Sequence, residues 1–170
     1  MKIRAKIAAG SVIALIATGA IGFAAIADSP SNPAPGPVAD VVIGTLDGPA
    51  KAMNDGIELK TKADTKVASF ELKYPMGSFS GWHKHPGIVI AVVKTGKVVR
   101  QVGCHAKVFS AGDSFTEVEP HFVKNYYAAD STDPEATDAY LEITQIYPAD
   151  APARRIEQNP PKCPYGVHLD

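Results

Sequence analysis

Cysteine is nearly absent: Cys104 and Cys163 are the only two in 170 residues. Two thiols are too few for a zinc-ribbon type of site. The sequence also lacks a Gly-x-Ser-x-Gly elbow, a Walker loop and a dinucleotide fingerprint, so it gives no support to a serine nucleophile or to those nucleotide sites. Basic clusters are missing too. Three of the 17 Lys and Arg, and none of the 18 Asp and Glu, lie in the first 27 residues, which leaves a net charge of −4 for the rest. An acidic chain without a Lys/Arg patch is a poor partner for nucleic acid or an anionic membrane surface. The 14 prolines and 14 glycines disfavour long helices and point to turns and short strands.

What is present begins with an address. Lys2, Arg4 and Lys6 precede an uncharged stretch from Ile7 to Ala27, and Ala25-Ile26-Ala27 offers the small residues read by a signal peptidase. This pattern predicts a secretory leader over 1–27. A retained N-terminal anchor is the alternative, since about 20 apolar residues can span a bilayer. Either way the folded domain is expected outside the cytoplasm, with membrane contact only through an uncleaved leader. A Pro-rich linker follows over 28–39, and one all-β domain is expected over 40–170. In an oxidising compartment Cys104 and Cys163 are most simply one disulfide, tying the Pro-rich tail to the domain; two free thiols are the alternative.

Strand signals recur from Asp40 onward. Val41–Leu46 is β-branched, Ile57–Thr61 alternates, and Val67–Tyr74 places Ala68, Phe70, Leu72 and Tyr74 on one face. Ile88–Val93 is an apolar run, Lys94-Thr95-Gly96-Lys97 its turn, and Val98–Val102 the return strand. Phe115–Val118, Phe122–Tyr127 and Ala139–Tyr147 complete the set. Leu46–Met53 is a candidate helix, weakened by its glycine neighbours. Short strands with turns between them imply a sandwich or barrel.

Five histidines are present: His83, His85, His105, His121 and His168. His83 and His85 stand two apart, so on a strand they share a face and suit one transition-metal ion. His121 is the natural third ligand. His105 is expected in a solvated loop and His168 in a frayed terminus. Trp82 is expected to pack on the face opposite the histidines. Tyr74, Tyr126 and Tyr127 are expected to pack in the core or at the barrel mouth. Gln145, on the inward face of the last long strand, is a weak catalytic candidate that could orient a bound water or substrate, or simply fill a polar core position.

These residues resemble the cupin superfamily. Gly81, His83, His85 and Gly96 fit its first motif, and Gly112-Asp113 with His121-x-x-x-Asn125 fits its second, with a shorter segment between and Pro120 displaced. The chain is similar in particular to small exported single-domain cupins of the conserved-barrel type, which read Trp-His-x-His-Pro-Gly (Trp82 to Gly87) and end in Asn-Pro-x-x-Cys-Pro (Asn159 to Pro164). The resemblance implies a double-stranded β-helix, or jelly-roll, barrel, a small-molecule ligand or substrate, and room for a homodimer.

In that family the first motif carries a metal-binding Glu, and counting back from Gly96 places Val89 there. Three imidazoles could still hold iron(II), the favoured ion, or zinc, copper, nickel or manganese, with the ion's full charge unneutralised. Glu117 or Glu119, beside His121, could replace the carboxylate if one turned inward. Three-histidine cupins that are iron dioxygenases make a dioxygenase-like enzyme the leading expectation. A non-catalytic binding barrel is the alternative.

Overall fold

A computed structural model describes residues 39–170; the expected leader and nearly all of the linker lie outside this range. Thirteen strands account for the regular structure, and no described helix is long and apolar enough to cross a membrane. They are β1 (Ala39–Leu46), β2 (Lys51–Asn54), β3 (Ile57–Lys60), β4 (Thr65–Tyr74), β5 (His83–Lys84), β6 (Ile88–Thr95), β7 (Lys97–Val102), β8 (His105–Ser110), β9 (Ser114–Glu117), β10 (His121–Asn125), β11 (Ala139–Pro148), β12 (Ile156–Glu157) and β13 (His168–Leu169).

Two sheets face each other, in the orders β1-β4-β11-β6-β9 and β12-β5-β10-β7-β8-β13, and β2-β3 forms a separate hairpin. This is an all-β jelly roll, the double-stranded barrel that was expected. Its long strands alternate because one face of each sheet is buried. On β11, Leu141, Ile143, Gln145 and Tyr147 point in, while Glu142 is exposed. They meet Ala68, Phe70 and Tyr74 of β4, Val89, Ala91 and Val93 of β6, and Val98 and Val123 from the opposing sheet. The unbroken apolar reading of β6 has a second cause: Ile88, Ile90 and Val92 lie on its outer face and stay about 40% exposed.

The candidate helix over Leu46–Met53 does not form. Those residues end β1, turn, and begin β2, where no apolar face at helical spacing exists to be buried. His105 opens strand β8 instead of lying in a loop, and His168 pairs with it from the parallel strand β13; both side chains remain solvent-facing. Cys104 and Cys163 form the expected disulfide, with Cα atoms 5.6 Å apart. The loop it closes is worth about 4 kcal/mol of chain entropy, and the bond is compatible with an extracytoplasmic location.

Two motif glycines are fixed by close approach. Gly87 (φ +102°) lies against the Ile146 carbonyl, and Gly96 (φ +75°) against Asp138 and Ala139, so a Cβ at either would overlap β11 or the residue before it. These contacts set β6 and its histidine-bearing approach against β11. The closing Asn125 of the second motif is also structural: its amide donates to the carbonyls of Tyr74 and Thr137, and its oxygen accepts from the Tyr127 N–H.

Candidate metal centre

His83 and His121 are register partners across β5 and β10, so their rings share the inner face, with centroids 4.3 Å apart. His85, just beyond β5, adds a ring 4.9 Å from His83 and 5.5 Å from His121. Trp82, between alternating inward positions, faces out as expected and stacks on Phe122 at 6.1 Å. Together with Phe79 these aromatics line an outer groove of about 410 Å³, on the other side of the wall from the histidines. Tyr74 and Tyr127 are buried, and Tyr126 is exposed.

The fourth member of the cluster is Glu117, which turns inward; Glu119 does not join it. Val89, at the motif's carboxylate position, is a buried core residue on β6 and pairs directly with Glu117 on β9. Directly opposed side chains on neighbouring strands start about 5 Å apart, so the carboxylate reaches the same space from the adjacent strand. Glu117 therefore stands with the three histidines, the inward turn that the sequence left open for it. The sequence signal was Phe115-x-Glu117: β9 buries Phe115, so period two buries Glu117 as well.

Donor atoms of His83, His85, His121 and Glu117 lie within 4.8 Å of one another. Each imidazole hands its Nδ1 to a main-chain carbonyl: His83 to Gly81 at 3.0 Å, His85 to Arg154 at 2.6 Å, and His121 to Glu119 at 2.7 Å. A carbonyl only accepts, so each Nδ1 carries a proton and, in the neutral ring, each Nε2 presents a lone pair. Two of those lone pairs face the carboxylate directly. His121 Nε2 is 3.1 Å from Glu117 Oε1, and His85 Nε2 is 3.4 Å from Glu117 Oε2.

His121 Nε2 is fully buried and has no hydrogen-bond partner despite that proximity. Two acceptors facing each other in a dry site repel unless a cation lies between them. Divalent transition metals bind such atoms at about 2.0–2.2 Å, which spaces neighbouring donors by about 3.0–3.4 Å for bond angles of roughly 90–110°. The observed 3.1 and 3.4 Å fall in that range. Those two donor pairs have the spacing that one ion requires, and His83 completes a cluster of the chemistry such an ion takes.

Electrostatics agree with this reading. Burial, followed by the positive charges of His121, Arg155 and His85, pushes His83 down to about 2, so its ring is neutral. Burial raises the Glu117 carboxyl, but hydrogen bonds and charge from His121 and His85 in their protonated forms outweigh it and hold the group well below the usual carboxylate range; with those rings neutral, a cation among the four donors would take the same part. Burial and then the Glu117 charge push the Tyr74 phenol above its ordinary value, leaving it a neutral hydroxyl.

Gln145 is buried beside His85, where sequence alternation puts it, but its amide is committed: Nε2 donates to the Arg154 carbonyl at 2.7 Å, the same oxygen that takes the His85 proton. It therefore supports the orientation of His85. That role depends on a main-chain carbonyl 9 residues downstream and has no sequence signature.

No protein-family model matches the chain, and no curated protein matches it. Among solved structures, a cupin-like protein from Thermotoga maritima is 21% identical over 55% of this chain and 65% of its own length, with a TM-score of 0.42. An oxalate oxidase is 16% identical over 57% of this chain and 52% of its own, with a TM-score of 0.41. A DMSP lyase from Ruegeria pomeroyi DSS-3 is 16% identical over 71% of this chain and 52% of its own, with a TM-score of 0.44. The chain thus spans less than two thirds of each of these proteins, and at these TM-scores the similarities carry no functional inference.

Proposed function

We propose that His83, His85, His121 and Glu117 hold one divalent transition-metal ion, iron(II) first, and that the exported barrel uses it on a small organic molecule in a dioxygenase-like reaction. The observation that carries this is the set of three imidazoles whose Nδ1 protons are all spent on carbonyls, leaving three Nε2 atoms and one carboxylate aimed at a common point. With Glu117 anionic, a divalent ion would leave a first sphere of net charge +1, and four protein donors leave room for two more ligands in an octahedral arrangement. An ion there would supply Lewis acidity or one-electron chemistry. The protein would supply neutral donors, a fixed His85 through Gln145 and Arg154, and an apolar wall that limits water.

A second reading is a metal-binding barrel without catalysis. It is favoured by the commitment of Gln145 to the Arg154 carbonyl and by a Tyr74 phenol held neutral, which leave no free proton carrier among the residues described at the site.

Metal analysis of protein purified without a histidine tag tests both. Near-stoichiometric iron with oxygen uptake on a small substrate supports the enzyme. Bound metal without turnover supports the binding barrel. A His83→Ala/His121→Ala variant that keeps its full metal content refutes the site.

A further inference from the structure

Two arginines on the barrel's inner side remain unexplained by metal binding. Arg100 on β7 pairs in register with Val123, and its neighbour on the same face, Val102, pairs with His121. Its guanidinium therefore shares the inner face with the histidines. It lies 5.6 Å over the ring of Phe115, two positions before Glu117 on the same face of β9. Arg154 approaches from the other side. Its carbonyl holds His85 and Gln145, and its guanidinium lies 5.3 Å over the inward ring of Phe70 on β4. In sheet order β4 and β9 are three strand spacings apart, about 14 Å, so the two rings beneath the cations stand towards opposite edges of that sheet's inner face.

Neither guanidinium pairs with a carboxylate among the described residues. Arg100 Nε and Arg154 Nη1 are buried with no hydrogen-bond partner. The contrast with the next residue is direct: Arg155 is engaged by Glu157 at 2.6 Å and by the Ser80 carbonyl. Burying an unpaired guanidinium N–H is costly, and each ring beneath fixes the plane of its fork while leaving the N–H edges free. The only buried acid among the described residues is Glu117. Arg100 feels the charges of Glu117 and Glu119 without hydrogen bonding to either, and every unfilled hydrogen-bonding position on the two arginines is a donor.

We infer that Arg100 and Arg154 are the oxyanion-recognition groups of this site, and that its substrate class is small organic acids or phosphate esters. A planar fork meets a carboxylate or a phosphate with two parallel charge-assisted hydrogen bonds. The inference rests on the proposed function for the meaning of "substrate"; the anion site itself stands on the arginines.

Calorimetric titration with malonate, inorganic phosphate and uncharged malonamide, on zinc-loaded and on chelator-treated protein, tests it. At least one of the two anions should bind at least tenfold more tightly than malonamide, and Arg100→Met or Arg154→Met should weaken that binding at least tenfold with metal content unchanged. Preference for malonate assigns organic acids, and preference for phosphate assigns phosphate esters. Should a Met variant fail to fold, the Nε–H nitrogen resonances of both arginines in the unmutated protein give the answer, because anion addition must shift them and malonamide must not. Failure of both anions to bind, malonamide binding as well as either, or wild-type affinity in both folded variants would overturn the inference. Metal content of the same samples reports separately on the ion site: anion binding by protein that takes up no metal would sink the proposed function and leave the arginine pair standing.

Discussion

Moving the carboxylate across the ladder is the sharpest test of the metal centre. Val89 and Glu117 are register partners on β6 and β9, with Cβ atoms about 5 Å apart. In Glu117→Val the only anionic donor is lost. Changes in groups that merely orient a ligand cost about 10–100-fold in metal affinity, so removing a donor should exceed about 100-fold, or about 2.7 kcal/mol. In Val89→Glu alone, two carboxylates share one dry space. At a separation of about 5 Å and an effective dielectric of about 20, their repulsion is about 3 kcal/mol, and the metal-free fold should lose stability on that scale. In Val89→Glu/Glu117→Val the charge count is restored and the acid starts from the motif's own position. Affinity should return to within about tenfold of wild type, so the second change recovers at least about 1.4 kcal/mol in a double-mutant cycle. Competition against a fluorescent chelator reads the affinities, and urea denaturation of chelated protein reads the repulsion. If the double variant binds metal no better than Glu117→Val, the two strand positions are not interchangeable. If Glu117→Val binds like wild type, Glu117 is not a ligand.

Three further outcomes are expected. Chelated protein should lose stability as pH falls below about 6.5. His83 titrates near 2 when folded but near 6.5 when unfolded, so between those values the unfolded chain binds more protons; Glu117, also held low, adds to the loss below 4.5. Urea midpoints measured from pH 7.5 down to pH 4 check this, and a flat profile would contradict it. Leu141→Ala, at a site 1% exposed, should cost about 3 kcal/mol by urea denaturation without altering metal content. Cys104→Ser/Cys163→Ser should lower stability by about 4 kcal/mol, seen as a lower melting temperature; an unchanged melting temperature would mean the tail is held by its other contacts.

The strands and the histidines were legible because both obey local periodicity. Alternation on β4 and β11 set the buried faces, and the spacing of His83 and His85 placed two rings on one face. Strand β8 was not legible: its apolar residues are interrupted by Lys107, and its buried Ala106 lies outside the core cluster, where β8 pairs with the tail strand β13. The expected helix failed because Leu46–Met53 has no buried stripe to stabilise one. Glu117 was half legible. Period two turns it inward, but that it stands opposite Val89 is a property of the β6–β9 register, which no local pattern encodes. The donors' orientation was not legible at all, since it comes from the carbonyls of Gly81, Glu119 and Arg154, and any residue type supplies a carbonyl.

That last point bears on how such a centre can change over time. The three rings are aimed by peptide oxygens, which point mutations do not delete. Residues flanking the histidines are therefore free to diverge without scrambling tautomers, as long as the chain keeps its path. Insertions and deletions are the dangerous events. One residue gained or lost between Gln145 and Arg154 would carry the oxygen away from His85 and cripple a donor whose own codon was untouched.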